Sequence, residues 1–443
     1  MKRLISGIVT LSLLLCLLAG GCTSNSINEH ILRSAQELTV TSPNSDTAFT
    51  LTVKDGQLHY HVSRRDTVCI GDSPLGIVTT DTVFGTVSSL DELGKPQGDI
   101  RTDKRKLYGR TAVADDPCTA VSIPVGGTAP FTFEVRVFDN GAAFRYRLPD
   151  ACTIESEQTG FVLPADSKVY AGEQHKYYES SNIYYDPSRY LSVNIGMPAT
   201  VKLASGGYAA ILEGDLTDYP GIALSWSRPY VYTAVFENES YTFEGAVTTP
   251  WRIISIGADL NELVNNTIIY QVCDAPNGNF DWVRPGRATW SWITGRTTDR
   301  VTPALMEEYT QYAARLGFEY NILDEGWVNW SNYLKKLPAL AEQGEQYEVG
   351  QILWTGVTAG ESFGGGISSA EDAYRYLDLL ENFRMAGGKI DFFTTEGHVE
   401  TGVNLYRDIL DYAAQKKLIV NFHGCNKPTG LDVTYPNELN REA

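Results

Sequence analysis

The sequence predicts a multidomain β plus α/β protein: a large N-terminal antiparallel β-sandwich followed by an incomplete (β/α)8 TIM-type barrel. Three observations carry this. From about residue 30 to 270, short alternating runs are separated by turn dipeptides, with almost no helical periodicity. From about residue 275, apolar strand-like runs alternate with segments of helical spacing. Polar or aromatic residues stand where those strands stop, which is where barrel enzymes keep their chemistry.

Met1 to Cys22 reads as a bacterial export signal. Lys2 and Arg3 form a charged start, and Leu4 to Leu18 is apolar but short for a membrane span. Ala19-Gly20-Gly21-Cys22 resembles a lipobox, which makes Cys22 the expected lipidated first residue and a bacterial cell-envelope lipoprotein (periplasm or outer membrane) the expected setting. Simple cleavage and release is the alternative. Residues 23–275 then form the sandwich. Phe49 to Val53 and Leu58 to Val62 flank Asp55-Gly56, and Phe131 to Phe138 and Ala143 to Arg147 flank Asn140-Gly141. Val201 to Leu203 and Tyr208 to Leu212 flank Gly206-Gly207. Such dipeptides between alternating runs are strong hairpin signals.

Residues 276–443 carry the barrel pattern. Ala288 to Ile293 is the first strand candidate. Thr302 caps a helix with Pro303 at its first position, Leu305, Tyr309, Ala313 and Leu316 as its inner stripe, and Gly317 at its end. Phe318 to Leu323 is the second strand and runs into Asp324-Glu325-Gly326-Trp327. A helix around Leu334 to Gln343 precedes the third strand, Gln351 to Thr355. Ser369 caps the next helix. The fourth strand ends at Asp391, a helix through Leu405, Ile409 and Ala413 follows, and the fifth strand, Leu418 to Phe422, ends in His423-Gly424. Alternation with right-handed crossovers gives a parallel sheet. No glycine-rich phosphate motif opens a helix, so a nucleotide fold is unsupported. Five strands fall short of the eight a closed barrel needs, so a longer protein is expected.

Composition narrows the function. The 443 residues carry a net charge of −18, which argues against nucleic acid as a partner. The 25 Tyr and 8 Trp suit sugar stacking, and equally a β-sandwich core. Of seven Cys, Cys16 goes with the signal and Cys22 with lipid. The other five show no zinc spacing or disulfide framework and read mostly as buried small hydrophobes. Asp391 interrupts an apolar strand near its end, and a lone carboxylate there is costly unless something pairs or uses it.

The phrases WVRPGRATWSW (282–292), NILDEGW (321–327), GGKIDFF (387–393) and VNFHGCNKPTGLDVTYPNELNREA (420–443) resemble glycoside hydrolase family 97. FDNGAAFRYRLP (138–149) and LEGDLTDYPGIAL (212–224) extend the resemblance into the sandwich. It implies an exo-acting α-glycosidase with a sandwich, a barrel, a small C-terminal β domain and bound Ca2+. An inverting member needs a base glutamate at the position matching Gly424, and glycine cannot serve. Retaining members place an aspartate at the end of the fourth strand, matching Asp391, so Asp391 is the expected nucleophile. A paired structural carboxylate is the alternative. NILDEGW resembles the acidic loop of α-galactosidase barrels, which favours α-galactosides.

The acidic-loop resemblance makes Asp324 and Glu325 expected to bind substrate, with a structural loop role as the alternative; from their places at strand ends, His423 is expected to donate to a sugar hydroxyl or to be a structural histidine, and Trp290 and Trp327 to stack on sugar rings or to pack in the core. Trp292 and Trp354 also stand near strand ends, and Glu396 and His398 follow Asp391. Glu442 and Glu213 are the expected Ca2+ ligands. The general acid/base glutamate is expected at position 448, beyond Ala443, so this polypeptide alone is expected to be inactive. Two alternatives stay open: a retaining enzyme for α-glucosides or β-L-arabinopyranosides, and a non-catalytic carbohydrate-binding envelope protein.

Overall fold

The computed structural model describes residues 27–109, 111–174, 179–236, 241–295, 301–357, 362–393 and 399–442. The export signal with Cys22, and Glu396 and His398, lie outside them. Two large antiparallel sheets, of eight and ten strands, face each other. Phe49 and Tyr60 project from one sheet. Phe133 and Phe144 project from the other. Phe49 lies 6.1 Å from Phe133 and Tyr60 lies 4.8 Å from Phe144 between ring centres. All four rings are fully buried, and each buried aromatic contributes on the order of 2 kcal/mol.

The turn chemistry is as expected. Asp55 and Gly56 both take positive φ, 51° and 79°, and close the hairpin between Thr47–Lys54 and Gln57–Arg64. In the second hairpin Phe138 pairs with Gly141, so the two-residue loop is Asp139-Asn140, one position earlier than the dipeptide suggested.

The second region is a curled, six-stranded, all-parallel sheet: β1 (Ala288–Trp290), β2 (Tyr320–Leu323), β3 (Gly350–Gly356), β4 (Gly387–Asp391), β5 (Ile419–His423) and β6 (Glu438–Glu442). Four helices accompany it: α1 (Pro303–Leu316), α2 (Tyr333–Gln346), α3 (Ala370–Asn382) and α4 (Val399–Gln415). Together these strands and helices form part of a (β/α)8 barrel. The Thr302 side chain accepts from Leu305 N–H and Gly317 ends α1 at φ 67°. Ser369 caps α3 by accepting from Asp372 N–H.

Three details depart from the sequence reading. The first strand stops at Trp290, and Trp292 sits exposed in a short helix, Ser291–Gly295. The buried stripe of α1 is Met306, Thr310 and Ala313, while Leu316 is exposed. This rotation sets Thr310 against a polar row, Thr289, Asn321 and Gln351, in register on β1 to β3. The sheet also has six strands, one more than the five counted. β6 reads ELNRE and shows no alternation, because its pairing register with β5 shifts between Val420 and Asn421, the mark of a bulge. Arg441 is buried against Glu438, with its guanidinium 4.6 Å over the Tyr406 ring.

Sandwich and barrel are joined by buried charge. Arg252 donates to Glu157 (2.9 Å) and Glu213 (2.8 Å), and Lys427 from the segment after β5 reaches Glu213 at 3.0 Å. Val403 of α4 packs into the sandwich core. Near this seam, burial and the neighbouring Glu438 push the Asp432 carboxyl up to about 6. A carboxyl whose folded pKa is raised contributes stability that is complete below about 4 and is lost as pH rises through 6. Asp432→Asn is therefore expected to melt like wild type at pH 4 and to gain on the order of 2 kcal/mol by pH 8. Thermal scans at both pH values check this; an equal shift at both contradicts it.

Candidate active site

The C-terminal rim of the sheet collects the polar groups. Side chains alternate faces along a strand, so Lys389 and Asp391 of β4 share one face. Asn421 and His423 of β5 share the same face. Parallel pairing with β3 and β6 then brings Trp354 and Glu442 alongside.

Asp391 is buried and fully engaged on one oxygen. Its Oδ2 accepts from Trp354 Nε1 at 3.1 Å and lies 2.8 Å from His423 Nδ1. Among the described residues its Oδ1 accepts the Phe392 N–H, at 2.8 Å. Burial alone would raise this carboxyl. His423, Lys389 and Trp354 outweigh it, and the group sits below the usual carboxylate range. Burial lowers His423, but its contact with Asp391 wins and its pKa is raised. Each shift favours the charged form of its own group, so the two support one another. Their mutual stabilisation is lost as pH falls through the Asp391 pKa and as pH rises through the His423 pKa.

Lys389 is the second charge in the site. Its Nζ lies 2.7 Å from Glu442 Oε2, 3.3 Å from Asn421 Oδ1 and 5.1 Å from the Trp290 ring centre. Trp290 Nε1 donates to Asp324 Oδ2, and Asp324 Oδ1 accepts from Glu325 N–H at 2.8 Å. Burial raises the Asp324 carboxyl, with Trp290 and the Glu325 amide opposing it only in part. Phe392 follows Asp391 with φ 59°, a conformation costly for an aromatic residue, and its ring is 41% exposed beside Trp354 and His423.

Most of the residues singled out in the sequence converge here: Asp391, Asp324, Trp290, His423 and Glu442. Glu325 is half-buried on the same loop as Asp324. Trp327 stands elsewhere. It is fully buried and donates its Nε1–H to Trp354 O at 2.7 Å, so it packs in the core instead of meeting a sugar. Trp354 is buried but reaches Asp391. Glu213 also stands elsewhere, with both oxygens taken by Arg252, Lys427 and the Ile222 N–H. The sandwich carboxylate that reaches the rim is Glu179, 3.2 Å from His423 Nε2, while Glu442 lies 3.7 Å from the same nitrogen. Among the described residues no group of three or more His, Cys, Asp or Glu forms a metal cluster. Gly424 ends β5 at φ 55° and offers only backbone.

Sequence reasoning missed Lys389, Glu179 and Phe392. Lys389 was findable, since a charged residue two before Asp391 shares its face. Glu179 lies far away in the chain, and no local signal marks it.

A β-sandwich joined to a parallel barrel sheet with carboxylates at its C-terminal rim is the architecture of a sandwich-and-barrel glycoside hydrolase. Residues 40–275 match the Glycosyl-hydrolase 97 N-terminal model and residues 286–443 match the Glycoside hydrolase 97 model. The chain belongs to glycoside hydrolase family 97. It is 27% identical over 405 residues to a Streptomyces bingchenggensis protein named "Probable retaining alpha-galactosidase", covering 87% of this chain and 61% of that relative. It is 25% identical over 484 residues to the "Retaining alpha-galactosidase" of Bacteroides thetaiotaomicron, covering 97% of this chain and 69% of that one. A solved β-arabinopyranosidase superposes with a TM-score of 0.80 at 24% identity, over 91% of this chain and 69% of its own. A family 97 enzyme from Pseudoalteromonas sp. strain K8, solved with acarbose, gives 0.77 at 22% over the same shares. These two show the shared fold.

The Asp391–His423 contact makes a prediction. Removing the imidazole in His423→Ala leaves burial as the dominant influence on Asp391. In the full-length enzyme the acid limb of the kcat/KM profile is expected to move to higher pH. His423→Gln, which keeps a donor without the charge, should recover part of the shift. A fall in kcat/KM with an unmoved limb contradicts the assignment.

Proposed function

We propose that this chain is the sandwich and partial barrel of a retaining exo-α-glycosidase acting on terminal α-galactosides. The observation that carries the reading is Asp391: an oriented carboxylate at the end of β4, with glycine, Gly424, at the position after β5. Oδ1, which accepts the Phe392 N–H, attacks the anomeric carbon. The glycosidic bond breaks as the leaving oxygen takes a proton from a second carboxylic acid, which a retaining mechanism requires. The resulting glycosyl ester is hydrolysed by water that the same carboxylate deprotonates. Two such carboxyls stand about 5 Å apart in retaining enzymes, and wider in inverting ones. Asp324, anchored by Trp290, accepts from a ring hydroxyl. His423 is a positioning residue that holds Asp391. The names of the two curated relatives support galactose as the sugar.

Calcium belongs to the same proposal, with Glu442 and Glu179 as ligands. What supports it is that two carboxylates, one from each domain, approach the same side of His423, and calcium takes hard oxygen donors. When bound, the ion would orient and polarise the substrate. Export as a lipoprotein through Cys22 is proposed from the signal alone. Loss of acyl labelling in Cys22→Ala would support it, and unchanged labelling would remove it.

The full-length enzyme is expected to release α-galactose as the first product from an α-galactoside, followed by NMR. Asp391→Ala should lose at least ~10³-fold in kcat and be rescued by azide. Initial β-galactose, or turnover unaffected by the substitution, contradicts the mechanism. Faster turnover of α-glucosides or β-L-arabinopyranosides contradicts the substrate and leaves Asp391 in place. Calorimetric calcium binding should weaken in Glu179→Gln and Glu442→Gln and persist in Glu213→Gln; indifference to Glu179 removes it from the ligand set.

A further inference from the structure

Strand β4 is buried from Gly387 to Asp391, and the chain leaves it by a turn that inverts its pattern. Ile390 lies in the core shared with the helices, while Lys389 and Asp391 take the opposite face. If the strand ran on unbroken, Phe392 would follow Ile390 into that core and Phe393 would face the rim. The reverse is found. Phe393 is buried, 4.3 Å from the Tyr406 ring centre and 5.2 Å from that of Phe422. Phe392 takes φ 59° and its ring stays 41% exposed. One left-handed residue thus exchanges the faces of the two phenylalanines.

The exchange is unfavourable in itself. A left-handed φ is costly for a residue with a bulky side chain, and an exposed phenyl forgoes burial. Strain of this kind gathers where a ligand is held. The surroundings of the ring identify the site it serves. Its centre is 6.3 Å from Trp354, at 76° to that ring, and 6.3 Å from His423. Those two side chains are the partners of Asp391 Oδ2, and the Phe392 N–H itself meets Oδ1 at 2.8 Å.

Reacting atoms come within about 3 Å of one another before a bond forms. An anomeric carbon that close to Oδ1 is within about 6 Å of the Phe392 nitrogen, which brings the sugar within reach of the phenyl. The other groups at the rim, Asp324, Lys389, His423 and Glu442, are polar and suit hydroxyls. A pyranose also carries C–H bonds, and binding sites meet these with apolar surface. Trp354 is buried, so among the described residues the open apolar surface beside the carboxylate is the phenyl.

We propose that the Phe392 ring is the apolar wall of the sugar site, packed against C–H bonds of the pyranose whose anomeric carbon meets Asp391. That the ligand is a sugar rests on the glycosidase reading. The role of the ring is tested apart from it, by binding without turnover.

In the full-length enzyme, Phe392→Gly and Phe392→Asn remove the ring, and both residues accept a left-handed backbone. Neither is expected to melt below wild type. Galactose binding is followed by NMR titration of Asp391→Ala protein. Removing the ring in that background should weaken binding about tenfold, and Phe392→Tyr should keep it. In the active enzyme the ring-less variants should lose about tenfold in kcat/KM on an aryl α-galactoside, with the acid limb of the pH profile unmoved. Equal affinity with and without the ring overturns the proposal; if the acid limb moves at the same time, Phe392 supports His423 instead. Should glucose or L-arabinose bind better and show the same dependence on the ring, the wall stands and the galactoside reading falls. Galactose binding by a wild type that hydrolyses no glycoside would remove the enzyme reading alone. Failure of Asp391→Ala protein to bind any of the three sugars overturns the wall.

Discussion

A carboxylate taken out of water must be kept charged by its neighbours, or it takes up a proton and ceases to be a nucleophile. In this protein that condition falls on Asp391, and the contact that meets it is the 2.8 Å approach of His423 Nδ1. Much of the rim follows from it. β4 and β5 must be adjacent and in register for the two side chains to meet. Glu179 and Glu442 stand on the other side of the imidazole, and the Glu442 charge also favours its protonated form. Lys389 adds charge from within β4 and is tied in turn to Glu442 on β6. Three neighbouring strands and one sandwich hairpin thus converge on one carboxylate.

The sandwich supports this arrangement from behind. Glu157, Arg252, Glu213 and Lys427 form a buried chain of alternating charge across the domain boundary. Breaking one member would strand its partner uncompensated, at a cost of about 3 kcal/mol or more. Such a chain adds little net stability over an apolar contact, but it tolerates one relative placement of its members. From the sandwich, Glu179 meets His423 of the barrel at 3.2 Å.

How much of this could be read in advance depended on whether the signal was local. Asp55-Gly56, Thr302-Pro303, Gly317 and Ser369 each act through their own backbone, and each hairpin or helix end stands where its residues put it. Asp391 was legible because a carboxylate in an apolar strand has few innocent explanations. The sixth strand was not, since a bulge breaks its two-residue period and its buried Arg441 looks like a surface residue until Glu438 and Tyr406 are seen around it. The pairing of Glu213 was hidden for the same reason. Its partner Arg252 is remote in sequence, and an acid at a strand end gives no sign that its charge is already matched. Trp327 shows the limit for aromatics, since a ring near a strand end can face either the opening or the core.

The account stands most directly on the bond between Asp391 and the sugar. Full-length enzyme treated with an activated fluorogalactoside, which slows breakdown of the covalent intermediate, can be digested and mapped by mass spectrometry. The expected result is one galactosyl adduct, on the peptide containing Asp391 and on that side chain. An adduct on any other residue, or inactivation with none, would contradict it.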